Sequence, residues 1–177
     1  GLVVGLGLNP FIATLAMLIL LRGITVGLSG GRTMYDLPPA FLFLGNAEVA
    51  GIPLPVIIAG VAFLVAGIFM KWNKVGRSIY AIGGNKMASR LAGINIKRVT
   101  LVVFAVNGVM AAIAGIFLTS RLDAAAVNAA TSAELDGIAA CVIGGTSLMG
   151  GVGTVFGAIV GAVVMASLDN GMSLLNA

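Results

Sequence analysis

The sequence contains uncharged runs that are long enough to cross a lipid bilayer. No Asp, Glu, Lys or Arg occurs in residues 99–120, 49–70 or 1–21, and Arg22 directly follows the last of these runs. An α-helix rises about 1.5 Å per residue, so roughly 20 such residues cross a hydrocarbon layer about 30 Å thick. Of all residues 59% are hydrophobic and 9% are charged, whereas roughly a quarter are charged in soluble domains. We therefore predict an all-α polytopic membrane protein.

The longest uncharged run, residues 137–168, is too long for one span and too short for two spans with a loop. The glycine-rich sequence GGTSLMGGVG lies in its middle, at residues 144–153. Irregular backbone within a membrane persists only where protein or a water-filled cavity covers it. We predict a half-helix at 132–143, a broken or re-entrant segment, and a span at 153–169. The other predicted spans are 10–28, 55–70 and 99–120.

The residue types present exclude several kinds of chemistry. The chain has no histidine, and its only cysteine, Cys141, lies in an apolar run. No disulfide framework or multi-thiolate metal site can form within it, and the commonest general base and metal ligand is missing. We expect no catalytic residue, no metal site and no cofactor in this chain. Because it opens on GLVVGLGLNP and closes on MSLLNA, we also expect it to be a fragment of a longer subunit.

Positive charge is concentrated in one segment. Seven of the ten Lys and Arg residues lie within residues 71–98, and no acid lies there. They are Lys71, Lys74, Arg77, Lys86, Arg90, Lys97 and Arg98. Short basic loops stay on the cytoplasmic side of a membrane, so residues 71–98 are predicted to be the cytoplasmic loop. The basic residues lie between two spans without interleaved aromatic residues, so orientation explains them better than nucleic-acid binding does.

The remaining polar stretches contain acidic residues and are predicted to lie outside. In residues 29–55, paired prolines and several glycines favour turns or short extended pieces over a helix. Further along, Thr131 and Glu134 have the spacing of a capping box at the start of the half-helix.

Within the cytoplasmic loop, Asn85 is a good N-cap and Gly93 a good left-handed C-cap, so a two-turn helix is predicted between them. Met87 and Leu91 lie four residues apart on one face of this helix. Two turns are marginal in water unless an apolar face is packed against something. Either the ends of the spans or a groove in a cytoplasmic partner must cover that face, and composition favours neither.

Glycines in the last span recur every four residues, at Gly153, Gly157 and Gly161. This spacing predicts a smooth stripe for close helix packing. It differs from a phosphate-binding loop because no Lys-Ser or Lys-Thr follows.

Five residues are candidates for a solute pathway. Gly144, Gly145, Thr146 and Ser147 bring backbone polar groups and hydroxyls to a break of the kind that transporters use at binding sites. A tight turn buried against further helices explains them equally well. Asn107 lies mid-span and must face the bundle interior. We favour a hydrogen bond from its amide to a neighbouring helix over a contact with the solute.

Two segments carry a family resemblance that extends over essentially the whole chain. The sequences AIGGNKMASRLAGI (residues 81–94) and VIGGTSLMGGVGT (residues 142–154) resemble the membrane subunit of bacterial ATP-binding cassette monosaccharide importers. The chain is more similar to the xylose permeases of that family than to the ribose permeases. The resemblance implies a type II importer permease-like helix bundle in the bacterial inner membrane, present as two copies that form one channel.

The resemblance also implies partners and a role for the cytoplasmic loop. A periplasmic sugar-binding protein would deliver a monosaccharide, such as xylose or a similar pentose, and a separate ATPase subunit would bind and hydrolyse the ATP. The ATPase-coupling residues are then Gly83, Gly84, Asn85, Lys86, Met87, Ala88, Ser89, Arg90, Leu91, Ala92 and Gly93. The alternatives are a permease for branched-chain amino acids or another small polar solute, and an ion-coupled secondary carrier or channel. The absence of a mid-span carboxylate weakens the carrier alternative.

Overall fold

The computed structural model describes residues 3, 5, 7 and 9–175. Short strands and loops separate its helices. In chain order the elements from Pro10 onward are α1 (Pro10–Ser29), β1 (Met34–Tyr35), α2 (Pro39–Asn46), β2 (Glu48–Val49), β3 (Ile52–Pro53), α3 (Leu54–Trp72), α4 (Lys74–Gly84), α5 (Lys86–Leu91), α6 (Ile96–Leu122), β4 (Ala124–Ala125), α7 (Ala133–Ile143) and α8 (Val155–Leu174). In this part of the chain, four helices are long and apolar enough to cross a membrane: α1, α3, α6 and α8.

The predicted spans fall on these four helices, and local capping explains where two of them begin. The helix α6 extends the predicted 99–120 at both ends, and the Asn95 side chain accepts a hydrogen bond from Arg98 N just before its first turn, at 3.1 Å. The helix α8 begins at Val155 instead of residue 153, because Thr154 is its N-cap and accepts from Gly157 N at 2.9 Å.

The predicted half-helix falls on α7, but its N-cap is not the predicted Thr131. The N-cap is Ser132, one residue after Thr131, in a left-handed conformation with φ of 69° and without a side-chain cap hydrogen bond. The turn that precedes α7 therefore places the helix start one residue later than the capping-box spacing requires.

The chain divides into two compact units, of which the first comprises residues 1–58 and 100–129. It contains a two-residue antiparallel ribbon, in which Met34 pairs with Ala125 and Tyr35 with Ala124. A second ribbon pairs β2 with β3 through Ala50 and Gly51, both at positive φ.

The expectation that the predicted external segment forms only turns and extended pieces is wrong for α2. Residues Pro39–Asn46 form an eight-residue helix that starts on the proline pair. Proline at the first helical position loses no helical hydrogen bond, and its fixed φ suits a helix start.

The second unit comprises residues 59–99 and 130–177. The chain turns sharply from α3 into α4, where Asn73 caps α4 by accepting from Val75 N at 2.9 Å. A Cβ at Gly76 would lie 2.6 Å from the Met70 carbonyl oxygen. Only glycine fits this junction without a shift of the backbone.

In the same unit α7 and α8 pack against each other in antiparallel directions. A Cβ at Gly161 would overlap the carbonyl oxygen of Ala140, and one at Gly157 would overlap that of Gly144. Of the three glycines predicted to form a packing stripe, Gly157 and Gly161 lie on α8 and contact α7. Gly153 does not belong to the helix, because it precedes the N-cap and lies against the Thr146 side chain. The backbones of the two helices can approach closely because only small residues lie on the surfaces that face each other.

Few apolar side chains are buried within the part of the chain that the structure describes. Among those residues the buried apolar ones are Ala13 and Ala140, and the spans expose many Leu, Ile, Val and Phe side chains. Lipid tails are as apolar as these side chains, so such a surface suits contact with lipid or with further membrane helices.

Candidate coupling and translocation site

The short helix α5 is closed at both ends by the residues predicted from sequence. The Asn85 side chain accepts from Ala88 N at 2.9 Å. At the other end Gly93 has φ of 80°, Gly93 N donates to Arg90 O and Ile94 N donates to Ser89 O. These two bonds form a Schellman motif, which satisfies the last carbonyls of a helix. The predicted capping of this helix is confirmed.

The apolar face of α5 is uncovered in this structure. Met87 is 66% exposed and Leu91 is 83% exposed. Lys86 and Arg90 are also exposed on the same helix, so α5 presents an apolar ridge beside two cations.

One predicted coupling residue lies away from this surface. Ser89 is only 4% exposed, whereas Ala88 and Ala92 are exposed. Residues 88 and 89 point to different sides of a helix because successive residues are about 100° apart. We therefore assign the exposed face of α5 to Lys86, Met87, Ala88, Arg90, Leu91 and Ala92, and Ser89 to the packed side.

The glycine-rich loop between α7 and α8 (residues 144–154) is folded by its own backbone. Thr146 N donates to Cys141 O and Ser147 N donates to Val152 O, both at 2.9 Å. Gly145 has φ of 84°, a conformation that glycine adopts without strain. The loop is an ordered turn at the end of the α7–α8 pair.

A cavity of about 360 Å³ lies beside this loop. Its walls come from the loop, from α4, from the end of α3 and from the start of α8; polar lining residues include Thr146, Ser147, Tyr80 and Thr154. Thr146 and Ser147 are half-buried there. Tyr80 and Thr154 were not predicted as site residues, because nothing in their local sequence shows that α4 and the loop meet.

The other candidate pathway residues lie elsewhere. Gly145 is exposed, and Gly144 packs against Gly157 in the α7–α8 contact. Asn107 belongs to the first unit and is exposed on α6. The structure thus brings Thr146 and Ser147 together with Gly83 of the predicted coupling segment, and does not place Asn107 among the residues that line this cavity.

The first unit has a cavity of its own, of about 330 Å³, that sequence analysis missed. It lies beside the β1–β4 ribbon, with Thr25, Ser29 and Thr119 among its lining residues. Within the described residues, no group of three or more His, Cys, Asp or Glu side chains is placed to hold a metal ion.

Comparison with known proteins identifies the family. Over residues 1–177 the chain matches the sequence model of the family described as branched-chain amino acid transport system, permease component. The chain belongs to this permease family. The permease is accordingly a multi-pass protein of the inner membrane, in a family of transport-system components and not of enzymes.

Curated relatives of the permease are named as pentose permeases. A ribose import permease protein of Haemophilus influenzae is 45% identical over 181 residues, which is 99% of this chain and 56% of the relative. The xylose transport system permease protein of Escherichia coli is 58% identical over 130 residues, 73% of this chain and 33% of the relative. The ribose permease of Escherichia coli is 41% identical over 180 residues.

The chain spans about half the length of the ribose permeases it matches, 56% in both cases. Identity is higher to the xylose permease, as the sequence motifs indicated, but the ribose permeases align over more of the chain. No solved structure matches the permease.

Proposed function

We propose that the permease is the membrane subunit of an ATP-driven importer that carries a pentose across the bacterial inner membrane. The observation that carries this proposal is the capped helix α5, whose apolar face is uncovered, in a chain whose relatives are named as ribose and xylose permeases. A short helix with an uncovered apolar face needs a partner to bury it.

That partner, in this proposal, is a cytoplasmic ATPase subunit that receives α5 in a groove. An amphipathic helix binds such a groove through apolar residues spaced by three or four positions, as Met87 and Leu91 are. Lys86 and Arg90 lie on the same exposed surface and no acid lies within residues 71–98. An acidic rim on the groove would therefore pair with α5 and fix its orientation.

The remaining parts of the proposed assembly follow from the family. The ATPase partner binds the nucleotide, so the permease itself holds no cofactor. An external sugar-binding protein delivers the solute, and a second copy of the permease completes the channel. ATP-driven closure of the ATPase then moves the helices as rigid bodies between two openings.

For the solute path we propose the cavity lined by Thr146 and Ser147. Their hydroxyls can donate and accept hydrogen bonds, which suits a solute that carries several hydroxyl groups. The volume of about 360 Å³ lies within the range of small-molecule sites, about 300–1,000 Å³. We assign Asn107 to a polar contact with a neighbouring helix, since an amide within hydrocarbon needs a partner.

A branched-chain amino acid is the second candidate solute, because the family description names it. Uptake of labelled xylose, ribose and leucine by proteoliposomes separates these possibilities, with the ATPase and the binding protein supplied. We expect pentose uptake that requires ATP. Uptake driven by an ion gradient without the ATPase would contradict the proposal, and leucine uptake alone would replace the pentose by an amino acid.

The docking surface has its own test. Leu91→Arg removes little packing within the permease, because Leu91 is largely exposed, but it places a charge where the partner's groove needs an apolar group. We expect it to abolish co-purification of the ATPase. Leu122→Arg, at another exposed leucine near a helix end, is the matched control and keeps the complex. Equal co-purification of both variants would contradict docking through α5.

A further inference from the structure

The second half of α4 lies directly against the glycine-rich loop. A Cβ at Gly83 would overlap the backbone nitrogen of Gly151, and a Cβ at Gly151 would lie 2.8 Å from the Cα and N of Gly84. A Cβ at Gly150 would lie 3.0 Å from the Cα of Gly83. The backbone of α4 therefore contacts the backbone of the loop directly. No side chain lies between them that could change rotamer and so absorb a movement of α4.

A hydrogen bond fastens the same contact. The Tyr80 hydroxyl donates to the Gly153 carbonyl oxygen at 2.9 Å, in a partly buried position. Tyr80 and Gly83 are three residues apart and lie on the same side of α4. Gly153 directly precedes Thr154, the N-cap of α8, so this bond acts at the first turn of α8.

At this same C-terminal end α4 is joined to α5 by one residue. Asn85 is the C-cap of α4, where its N–H donates to Ala81 O at 3.0 Å, and also the N-cap of α5, where its side chain accepts from Ala88 N at 2.9 Å. With no flexible linker between the two helices, a displacement of α5 is passed to α4.

Beyond the loop, α7 and α8 are held together by the Gly144–Gly157 and Ala140–Gly161 contacts. Closely packed helices shift as a unit, because packed interfaces have discrete arrangements and do not deform continuously. A displacement of the loop is therefore expected to move α7 and α8 together.

We propose that Tyr80, Gly83 and residues 150–153 form a relay contact, which transmits movement of α5 to the α7–α8 pair. The inference rests on the proposed function, since an ATPase must move α5. It assigns Tyr80 and Gly83, which also line the proposed solute cavity, a positioning role in coupling ATP hydrolysis to transport. Uptake is therefore measured at saturating solute, where a weaker contact with the solute does not lower the ratio of uptake to hydrolysis. The loop that lines the cavity of Thr146 and Ser147 is then moved directly by α4.

The test measures solute uptake and ATP hydrolysis together, in proteoliposomes that contain the permease with its ATPase and binding protein. Tyr80→Phe removes only the hydroxyl, and Tyr35→Phe is the control at the chain's other tyrosine, in β1. One hydrogen bond of ordinary strength biases a two-state equilibrium by about fivefold, so we expect a fall of about two- to fivefold in solute moved per ATP for Tyr80→Phe. Tyr35→Phe keeps the wild-type ratio.

A glycine pair gives a second, steric test. Gly83→Ala pushes a methyl group into Gly151, whereas Gly67→Ala, in α3, places one where no atom lies within 4 Å. We expect Gly83→Ala to keep binding-protein-stimulated hydrolysis while losing uptake, and Gly67→Ala to keep both. If Gly83→Ala fails to assemble with the ATPase, the Tyr80→Phe ratio alone decides.

The outcomes separate the relay from the proposed function. A merely structural defect lowers uptake and hydrolysis in parallel and leaves their ratio unchanged. Wild-type ATP-driven uptake together with an unchanged ratio in Tyr80→Phe overturns the relay and leaves the importer intact. If the wild-type protein shows no ATP-driven uptake, both the relay and the proposed importer function are overturned.

Discussion

Ser120 is the most enclosed described side chain in the permease, with none of its surface exposed. Its hydroxyl oxygen accepts from Gly45 N and its hydroxyl proton is donated to Phe41 O, both at 2.7 Å. A Cβ at Gly45 would lie 2.7 Å from that same oxygen. One hydroxyl thus fastens α2 to the C-terminal end of α6, and glycine at position 45 is what lets the two elements come close enough.

Replacing this hydroxyl is expected to destabilise the first unit. Ser120→Ala removes the buried hydroxyl and its two hydrogen bonds, each worth about 0.5–1.5 kcal/mol. Thermal unfolding in detergent should show a clearly lower midpoint. Ser167→Ala is the matched control, because the Ser167 hydroxyl only donates back to Val163 O on an exposed face of α8. A midpoint unchanged in Ser120→Ala would show that water or detergent satisfies the Gly45 N–H and the Phe41 carbonyl.

At the scale of elements, α5 could be predicted closely from the sequence. Its capping partners lie within a few residues, Asn85 with Ala88 and Gly93 with Arg90. Such bonds depend on residue type and spacing alone. The four spans could be placed for a similar reason, since length and lack of charge are local properties.

The contacts that shape the candidate site could not be predicted in the same way. Tyr80 meets Gly153 across 73 residues and Ser120 meets Gly45 across 75. The hydrophobic periodicity of one segment does not indicate which distant residue will form a hydrogen bond with it. The helix α2 was missed for a different reason: proline pairs break helices in their interior but are favourable at their first turn.

The α7–α8 contact gives a prediction at this scale. Gly161→Ala places a methyl group against the Ala140 carbonyl oxygen, and overpacking of this kind typically costs about 1–3 kcal/mol. Gly171→Ala, on the same helix with no atom within 4 Å, should be neutral or stabilising by up to about 1 kcal/mol through helix propensity. Unfolding midpoints in detergent check both. If Gly161→Ala matches Gly171→Ala, the two helices are not held by backbone contact at this position.

At the scale of the whole molecule, charge and not packing sets the orientation in the membrane. The chain carries ten Lys and Arg residues against six Asp and Glu residues, and residues 71–98 hold seven of the ten with no acid. Basic residues in a short loop are retained on the cytoplasmic side during insertion. The proposed ATPase partner also requires α5 to be cytoplasmic, so the proposal agrees with the orientation that the charge pattern predicts.

Cysteine accessibility tests this placement in the intact membrane. Cys141 is the only cysteine of this chain, so Cys141→Ala removes the labelling that the chain itself gives, and Lys86→Cys then places one thiol on the exposed surface of α5. We expect a membrane-impermeant maleimide to label this thiol in inside-out vesicles and not in intact cells. Because Lys86 lies on the proposed docking surface, co-expression of the ATPase should reduce labelling in the vesicles. Labelling from the outside of intact cells would contradict both the orientation and docking through α5, whereas labelling in vesicles that the ATPase leaves unchanged would contradict docking alone.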